Sequence, residues 1–236
     1  MLEDCKHCHS LSPLGQLPSL ENLRIRLMDK VVSIYSNATE PFRSLKELDL
    51  YGMSSLKECC FCMADTAFPS LEFLRLGKCP RLESFMEGGS FSRLSRISIS
   101  ECEKLFAVRM QWNLQRFPSL ELLTLSGCKD MVDSFPEEAE LPTTLKSLSI
   151  SRCANLKALN NKSFQQHSSL ELLEICSCKE LQCLPEGLPT SLNFLIIDNC
   201  PLLSGRCEKE NGEDWPKIEH IPNMQIDGKM IKGSFF

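Results

Sequence analysis

The chain is poor in the residues on which most catalysis rests. Four histidines (His7, His9, His167, His220), two tryptophans and two tyrosines occur among 236 residues. Neither G-x-S-x-G nor H-E-x-x-H is present, the motifs that seat a nucleophilic serine or a catalytic zinc. G-x-x-x-x-G-K-[ST] is missing as well, since Gly77-Lys78-Cys79 lacks both the upstream glycine and the hydroxyl. No catalytic residue, metal or cofactor is therefore expected, and the chain is not read as an enzyme. Positive charge has no excess either: 26 Lys and Arg stand against 31 Asp and Glu, for a net charge of -5 without a polybasic run. A nucleic-acid partner is not expected from such a balance. No apolar run approaches the ~20 residues that cross a bilayer, and Met1 to Ser10 is polar where a signal peptide is apolar.

Cysteine is abundant instead, with 14 residues, and its spacing exposes an internal repeat. The pattern L-x-x-L-x-L-x-x-C-x-x-L runs from Leu71, Leu94, Leu120, Leu145, Leu170 and Leu192, placing Cys79, Cys102, Cys128, Cys153, Cys178 and Cys200 in one slot. Earlier copies from Leu20 and Leu45 carry Met28 and Met53 there. Successive first leucines lie 22 to 26 residues apart, within the period of leucine-rich repeats. In x-L-x-L-x alternate side chains point to one side, so each copy predicts a short strand and a return. One copy cannot bury its apolar face alone, but stacked copies can. The expected fold is an α/β repeat, a leucine-rich-repeat solenoid curved as a horseshoe, with a parallel inner sheet and irregular convex loops.

Two columns follow from stacking. Phe42, Phe68, Phe91 and Phe117 stand three residues before the first leucine of four consecutive copies, which predicts an aromatic spine under the returns. The six slot cysteines, stacked at ~4.8 Å with parallel Cα–Cβ vectors, are too far apart for the ~3.5 to 4.5 Å that disulfides prefer. They are read as reduced packing residues whose thiols meet the carbonyls of the bend.

Leu2 and Cys5 fill the last slots of a further copy, so the array is expected to begin inside a repeat. After Cys207 the leucine pattern stops. Residues 1–206 are read as the array, about eight full repeats after a truncated one, and 207–236 as a capping segment and tail. Within it Asp214 is expected to cap a short helix from Trp215, and Lys229 to Phe236 to fray.

Three stretches go beyond a generic repeat. Pro13-Leu14-Gly15-Gln16-Leu17-Pro18-Ser19-Leu20, the F-P-S-L-E blocks at Phe68 and Phe117, and the tail from Cys200-Pro201 through Arg206-Cys207 to Gly212-Glu213-Asp214-Trp215-Pro216-Lys217-Ile218-Glu219-His220-Ile221-Pro222 are similar to one family. They resemble the leucine-rich region of plant intracellular disease-resistance proteins of the coiled-coil, nucleotide-binding, leucine-rich-repeat type. Ser12 departs from a proline frequent there, and the family's signalling and nucleotide-binding domains have no counterpart. The resemblance implies a protein-interaction module that recognises a pathogen effector or a guarded, modified host protein and restrains the nucleotide-binding domain of a full receptor. It also implies a cytoplasmic, or additionally nuclear, location.

An alternative is the substrate-binding array of an F-box ubiquitin ligase subunit, whose repeats also place Cys after L-x-x-L-x-L, though usually with an I-T-D-type return. A secreted receptor ectodomain would favour Asn in the cysteine slot and a G-x-I-P return. Cys5, His7, Cys8 and His9, with Cys59, Cys60 and Cys62, could suggest zinc, but Cys5, Cys8 and Cys59 fall in repeat slots that packing explains. Asn37-Ala38-Thr39 and Asn161-Lys162-Ser163 are formal glycosylation sequons, treated as loop residues.

Binding is expected on the outward x positions of the strands. One column reads Arg24, Asp49, Arg75, Ser98, Thr124, Ser149, Glu174, Ile196, and the one before it Asn22, Glu47, Phe73, Arg96, Leu122, Ser147, Leu172, Phe194. Charged and aromatic residues dominate the early copies, hydroxyls the middle, apolar groups the last. Because Tyr, Phe and Arg carry interface energy when desolvated, the candidate partner-binding residues are Arg24, Asp49, Tyr51, Phe73, Arg75, Arg96, Glu174 and Phe194.

Overall fold

A computed structural model describes residues 1–5, 7–11, 17–36, 42–61, 68–85, 91–107, 114–128, 133–136, 141–165 and 169–234. Pro13 to Gln16 of the first family-like stretch, Asn37 to Thr39, Cys62 and His167 lie outside them. The chain packs as two compact units, one of residues 1–112 with 116–120, the other of 113–115 with 121–236.

In the first unit Leu2–Glu3, Asn22–Arg26, Glu47–Tyr51, Phe73–Gly77 and Arg96–Ser100 pair in parallel and in sequence order. Each full strand has the alternation the sequence predicts. Leu23 and Ile25, Leu48 and Leu50, Leu74 and Leu76, Ile97 and Ile99 are buried, while the residues between them face outward. The returns add a second parallel sheet from Ser33–Ser36, Glu58–Phe61 and Ser84–Phe85, and a helix at Glu103–Ala107 that buries Leu105 and Phe106. Under the returns the four phenylalanines stack: Phe42 on Phe68 at 5.2 Å between centroids, Phe68 on Phe91 at 6.3 Å and Phe91 on Phe117 at 5.6 Å. Such offset pairs add about 0.5 to 1.5 kcal/mol each beyond the area they bury.

The second unit repeats the plan with Leu122–Ser126, Ser147–Ser151, Leu172–Cys176, Phe194–Asp198 and Asn223–Ile226, all parallel. Lys229–Lys232 then turns back antiparallel to Asn223–Ile226. This corrects the expectation of a frayed tail. Asp227 and Gly228 both take positive φ, 46° and 74°, the geometry of a two-residue hairpin turn whose twist matches that of the flanking strands. The Asp-Gly pair was the available signal. A Lys-rich antiparallel strand also leaves the sheet edge charged, which discourages further pairing.

The turn after each strand has a feature that pattern alone does not reveal. Leu27, Gly52, Lys78, Glu101, Gly127, Arg152, Ser177 and Asn199 all have φ between 49° and 69°. This left-handed residue redirects the chain so that the slot residue after it points inward. Its amide is also aimed at the neighbouring repeat: Leu27 N–H donates to Tyr51 O at 2.9 Å, Gly52 to Gly77 O at 2.8 Å, Arg152 to Cys176 O at 2.8 Å and Ser177 to Asp198 O at 2.8 Å. The slot cysteines are fully buried. Their thiols meet the last carbonyl of their own strand, Cys79 with Gly77 O at 3.3 Å, Cys102 with Ser100 O and Cys153 with Ser151 O at 3.4 Å, Cys200 with Asp198 O at 3.3 Å. Each of these carbonyls also accepts the turn amide of the preceding repeat, Gly77 O from Gly52 and Ser100 O from Lys78 for example, so the thiol is a second, weak donor that fits a small buried site.

Candidate interaction surface

The register of the first unit sets its outward side chains in three rows. Asn22, Glu47, Phe73 and Arg96 form one, Arg24, Asp49, Arg75 and Ser98 the next, and Arg26, Tyr51, Gly77 and Ser100 the third. Six of the eight candidate residues thus share one face. Arg24, Arg75 and Arg96 are exposed, and Tyr51 and Phe73 half-buried.

Asp49 differs from its neighbours in being only 6% exposed. Its carboxylate is held by Arg26, and that hydrogen bond raises the guanidinium pKa further above its ordinary value. Asp49 Oδ1 and Arg26 Nε are buried without a hydrogen-bond partner, so the pair is closed off from water on one side. Arg24 leans toward Glu47 at 3.5 Å, a pair that exposure makes weak.

Tyr51 is the centre of the face. The guanidinium carbons of Arg26 and Arg75 lie 5.9 Å from its ring centroid and Lys78 Nζ 5.6 Å. Arg96 lies 5.0 Å over the Phe73 ring. These are cation–π distances, attractive because the ring face is the negative pole of the aromatic quadrupole. The ring has space because its register partner in the next strand is Gly77. Sequence reasoning placed Tyr51 among the candidates and missed the seat that Gly77 provides.

In the second unit Leu122, Ser147, Leu172, Phe194 and Asn223 form one row, and Thr124, Ser149, Glu174, Ile196 and Gln225 the next. Glu174 and Phe194, the remaining candidates, are therefore diagonal neighbours, both half-buried. Glu174 accepts a hydrogen bond from Ser149 at 2.7 Å. Ser151 donates to Ser126 at 2.8 Å, and Arg152 reaches the same Ser126 oxygen from Nη2 at 3.0 Å. Leu122 is exposed. The character of this face is hydroxylic and apolar. Burial, with Glu174 and Asp198 close by, pushes the Cys176 thiol up to about 12, so it is protonated at neutral pH.

Cys5 is exposed and Cys8 half-buried, each with its thiol on a nearby backbone oxygen, Glu3 O at 3.6 Å and Ser10 O at 3.0 Å. Among the described residues no group of three or more His, Cys, Asp or Glu side chains could hold a metal ion. No helix among them is long and apolar enough to cross a membrane.

The tail motif has its own centre. Asp214 is fully buried, yet its side chain does not cap the helix Trp215–Ile218 that follows it. It turns inward instead, accepting from Leu184 N–H at 2.8 Å, from Arg206 Nη2 at 3.1 Å and from Lys217 Nζ at 2.9 Å. Lys217 also donates to Leu184 O at 3.0 Å. Burial works upward on the Asp214 carboxyl, but Arg206, the Leu184 amide and Lys217 outweigh it and hold the pKa below the ordinary carboxylate value. The expected cap is replaced because two cations and an amide offer more to a buried carboxylate than one helix amide does.

No family model matches the chain. It is 34% identical to the disease resistance protein RGA2 of Solanum bulbocastanum over 96% of its own length. It is 32% identical to RGA4 of the same plant over 95%, and 30% identical to the disease resistance protein RRS1 of Arabidopsis thaliana over 57%. The chain spans 24% of the length of RGA2, 26% of RGA4 and 10% of RRS1.

Proposed function

The chain belongs to the plant disease-resistance proteins, matching a region of about a quarter of RGA2 and RGA4, and on that premise we propose that it is a protein-interaction module of an innate immune receptor. In this reading residues 1–206 form a leucine-rich-repeat solenoid of horseshoe shape and 207–236 close it. The array binds rather than catalyses. It meets a pathogen effector or a modified host protein and restrains the nucleotide-binding switch of the full receptor, in the cytoplasm. The carrying observation is the composition of the outward rows, cationic and aromatic in the first unit, hydroxylic and apolar in the second. That contrast suits two partners. Arg24, Arg75 and Arg96, with the Asp49–Arg26 pair beneath them, make contacts within the receptor, and Glu174 and Phe194 contribute to recognition.

Grafting the array onto a competent receptor body tests the reading. Arg75→Ala with Arg96→Ala should signal without a pathogen, whereas Glu174→Ala with Phe194→Ala should stay silent with one. Each ~1.4 kcal/mol lost from a restraining contact shifts the switch tenfold. A first double mutant that accumulates normally and remains restrained would refute the division of labour.

A further inference from the structure

The outward face of the first unit is rich in arginine. Its outward strand positions hold Arg24, Arg26, Arg75 and Arg96 against Glu3, Glu47 and Asp49, in a chain of net charge -5. The three carboxylates all lie with the first two arginines, Glu47 paired with Arg24, Asp49 with Arg26, and Glu3 in register beside Arg26. Arg75 and Arg96 have no carboxylate within ion-pair distance among the described residues. They lie over Tyr51 and Phe73 instead, rings that orient a guanidinium without neutralising it.

We infer that this face docks an acidic, extended protein segment, with carboxylates two residues apart reaching Arg75 and Arg96. Resting on the interaction-module reading, the inference adds the chemistry of one partner. Arg96 pairs in register with Phe73, and Arg75 with Ser98, so the two arginines are diagonal neighbours across adjacent strands. Strands ~4.8 Å apart with ~3.3 Å rise per residue set their Cα atoms about 8 Å apart, and carboxylate-bearing residues at i and i+2 of an extended peptide are spaced about 7 Å. Arginine's planar fork then allows each carboxylate two parallel hydrogen bonds. Nucleic acid is the less suitable polyanion. The chain's overall negative charge repels a long phosphate backbone, and cations already crowd the Tyr51 ring on which a base would stack.

The test is a selection from a phage-displayed library of random twelve-residue peptides against the whole chain. The expected pool is enriched in Asp and Glu at i and i+2. Its members should bind Arg75→Glu with Arg96→Glu at least tenfold more weakly, and Arg75→Lys with Arg96→Lys at an intermediate level. Both arginines are exposed, and a fold lost to charge reversal would show as the Glu variant melting early while the Lys variant melts like the native chain. In that case Arg75→Gln with Arg96→Gln replaces the Glu variant under the same tenfold criterion. A neutral or basic pool, or acidic peptides that bind all variants alike, would overturn the inference. So would a twenty-nucleotide single-stranded RNA that binds the chain more tightly than the best acidic peptide. The grafted receptor tests restraint and recognition, whereas this selection reads only the chemistry of one face, so either can fail while the other stands.

Discussion

Tyr51 lies across the strand position of Gly77. A Cβ built on Gly77 would come within 2.7 Å of Tyr51 Cδ2 and 3.0 Å of Ser100 Oγ, closer than van der Waals contact allows. The missing side chain is what seats the ring among Arg26, Arg75 and Lys78.

Gly77→Ala should therefore destabilise the first unit by about 1 kcal/mol or more, the range of overpacking changes. In the background of Tyr51→Ala the same substitution should cost much less, since the clash is gone. A double-mutant cycle by denaturant unfolding reads the coupling. Additive effects would show that the ring does not depend on Gly77.

The left-handed turn residues predict effects of opposite sign at equivalent positions. Gly127 has φ 69° and Leu27 φ 53°. A side chain in this region costs about 1 to 2 kcal/mol, so Gly127→Ala should lower stability by about that amount. Leu27 is 44% exposed and has little burial to lose, so Leu27→Gly should raise stability by about 0.5 kcal/mol, strain relief exceeding the added freedom of the unfolded chain. Shifts in denaturation midpoint at unchanged slope would check both. Leu27→Gly destabilising by a full kcal/mol would show the strain absent.

Asp214→Asn should cost about 1.5 to 3 kcal/mol, because it removes the buried carboxylate that Arg206 and Lys217 share while Glu213 and Glu186 still pair with them. The pH dependence has a definite sign. Asp214's folded pKa is depressed, so its stabilisation is complete above the ordinary carboxylate value of about 3.9 and is lost as pH falls through the lower folded value. The stability gap between native chain and variant should be constant near neutrality and shrink only below about pH 4. A gap already closing at pH 6 would assign the effect to another group.

Thiol reactivity should separate the cysteines by position. Iodoacetamide at pH 8, followed by peptide mass spectrometry, should label exposed Cys5 first. Cys176 should lag despite its partial exposure, since its thiol is pushed up to about 12. Cys153 and Cys178 should react only on unfolding. Both are fully buried, and contact with a neighbouring column thiol pushes each up to about 12, from Cys128 at Cys153 and from Cys153 at Cys178. Early labelling of Cys153 would mean that the column opens in the native state.

Periodicity determined the strands, their outward rows, the cysteine column and the phenylalanine stack, because each depends on spacing along the chain, and stacked copies turn spacing into proximity. Six candidate residues reached one face of the first unit for that reason. Tertiary structure alone decided what those residues do to one another. Asp49 occupies an outward position by alternation, yet Arg26 from the neighbouring strand covers it. Tyr51 has its seat only because a glycine 26 residues later stands beside it. Asp214 precedes a helix, the usual place for a cap, but the Leu184 amide, 30 residues earlier, draws it inward to meet Arg206 and Lys217. Lys229–Lys232 is a strand because Asn223–Ile226 offers it an edge. In each case the energy comes from groups whose mutual distance is set by folding, and a pattern read along one dimension carries no record of that distance.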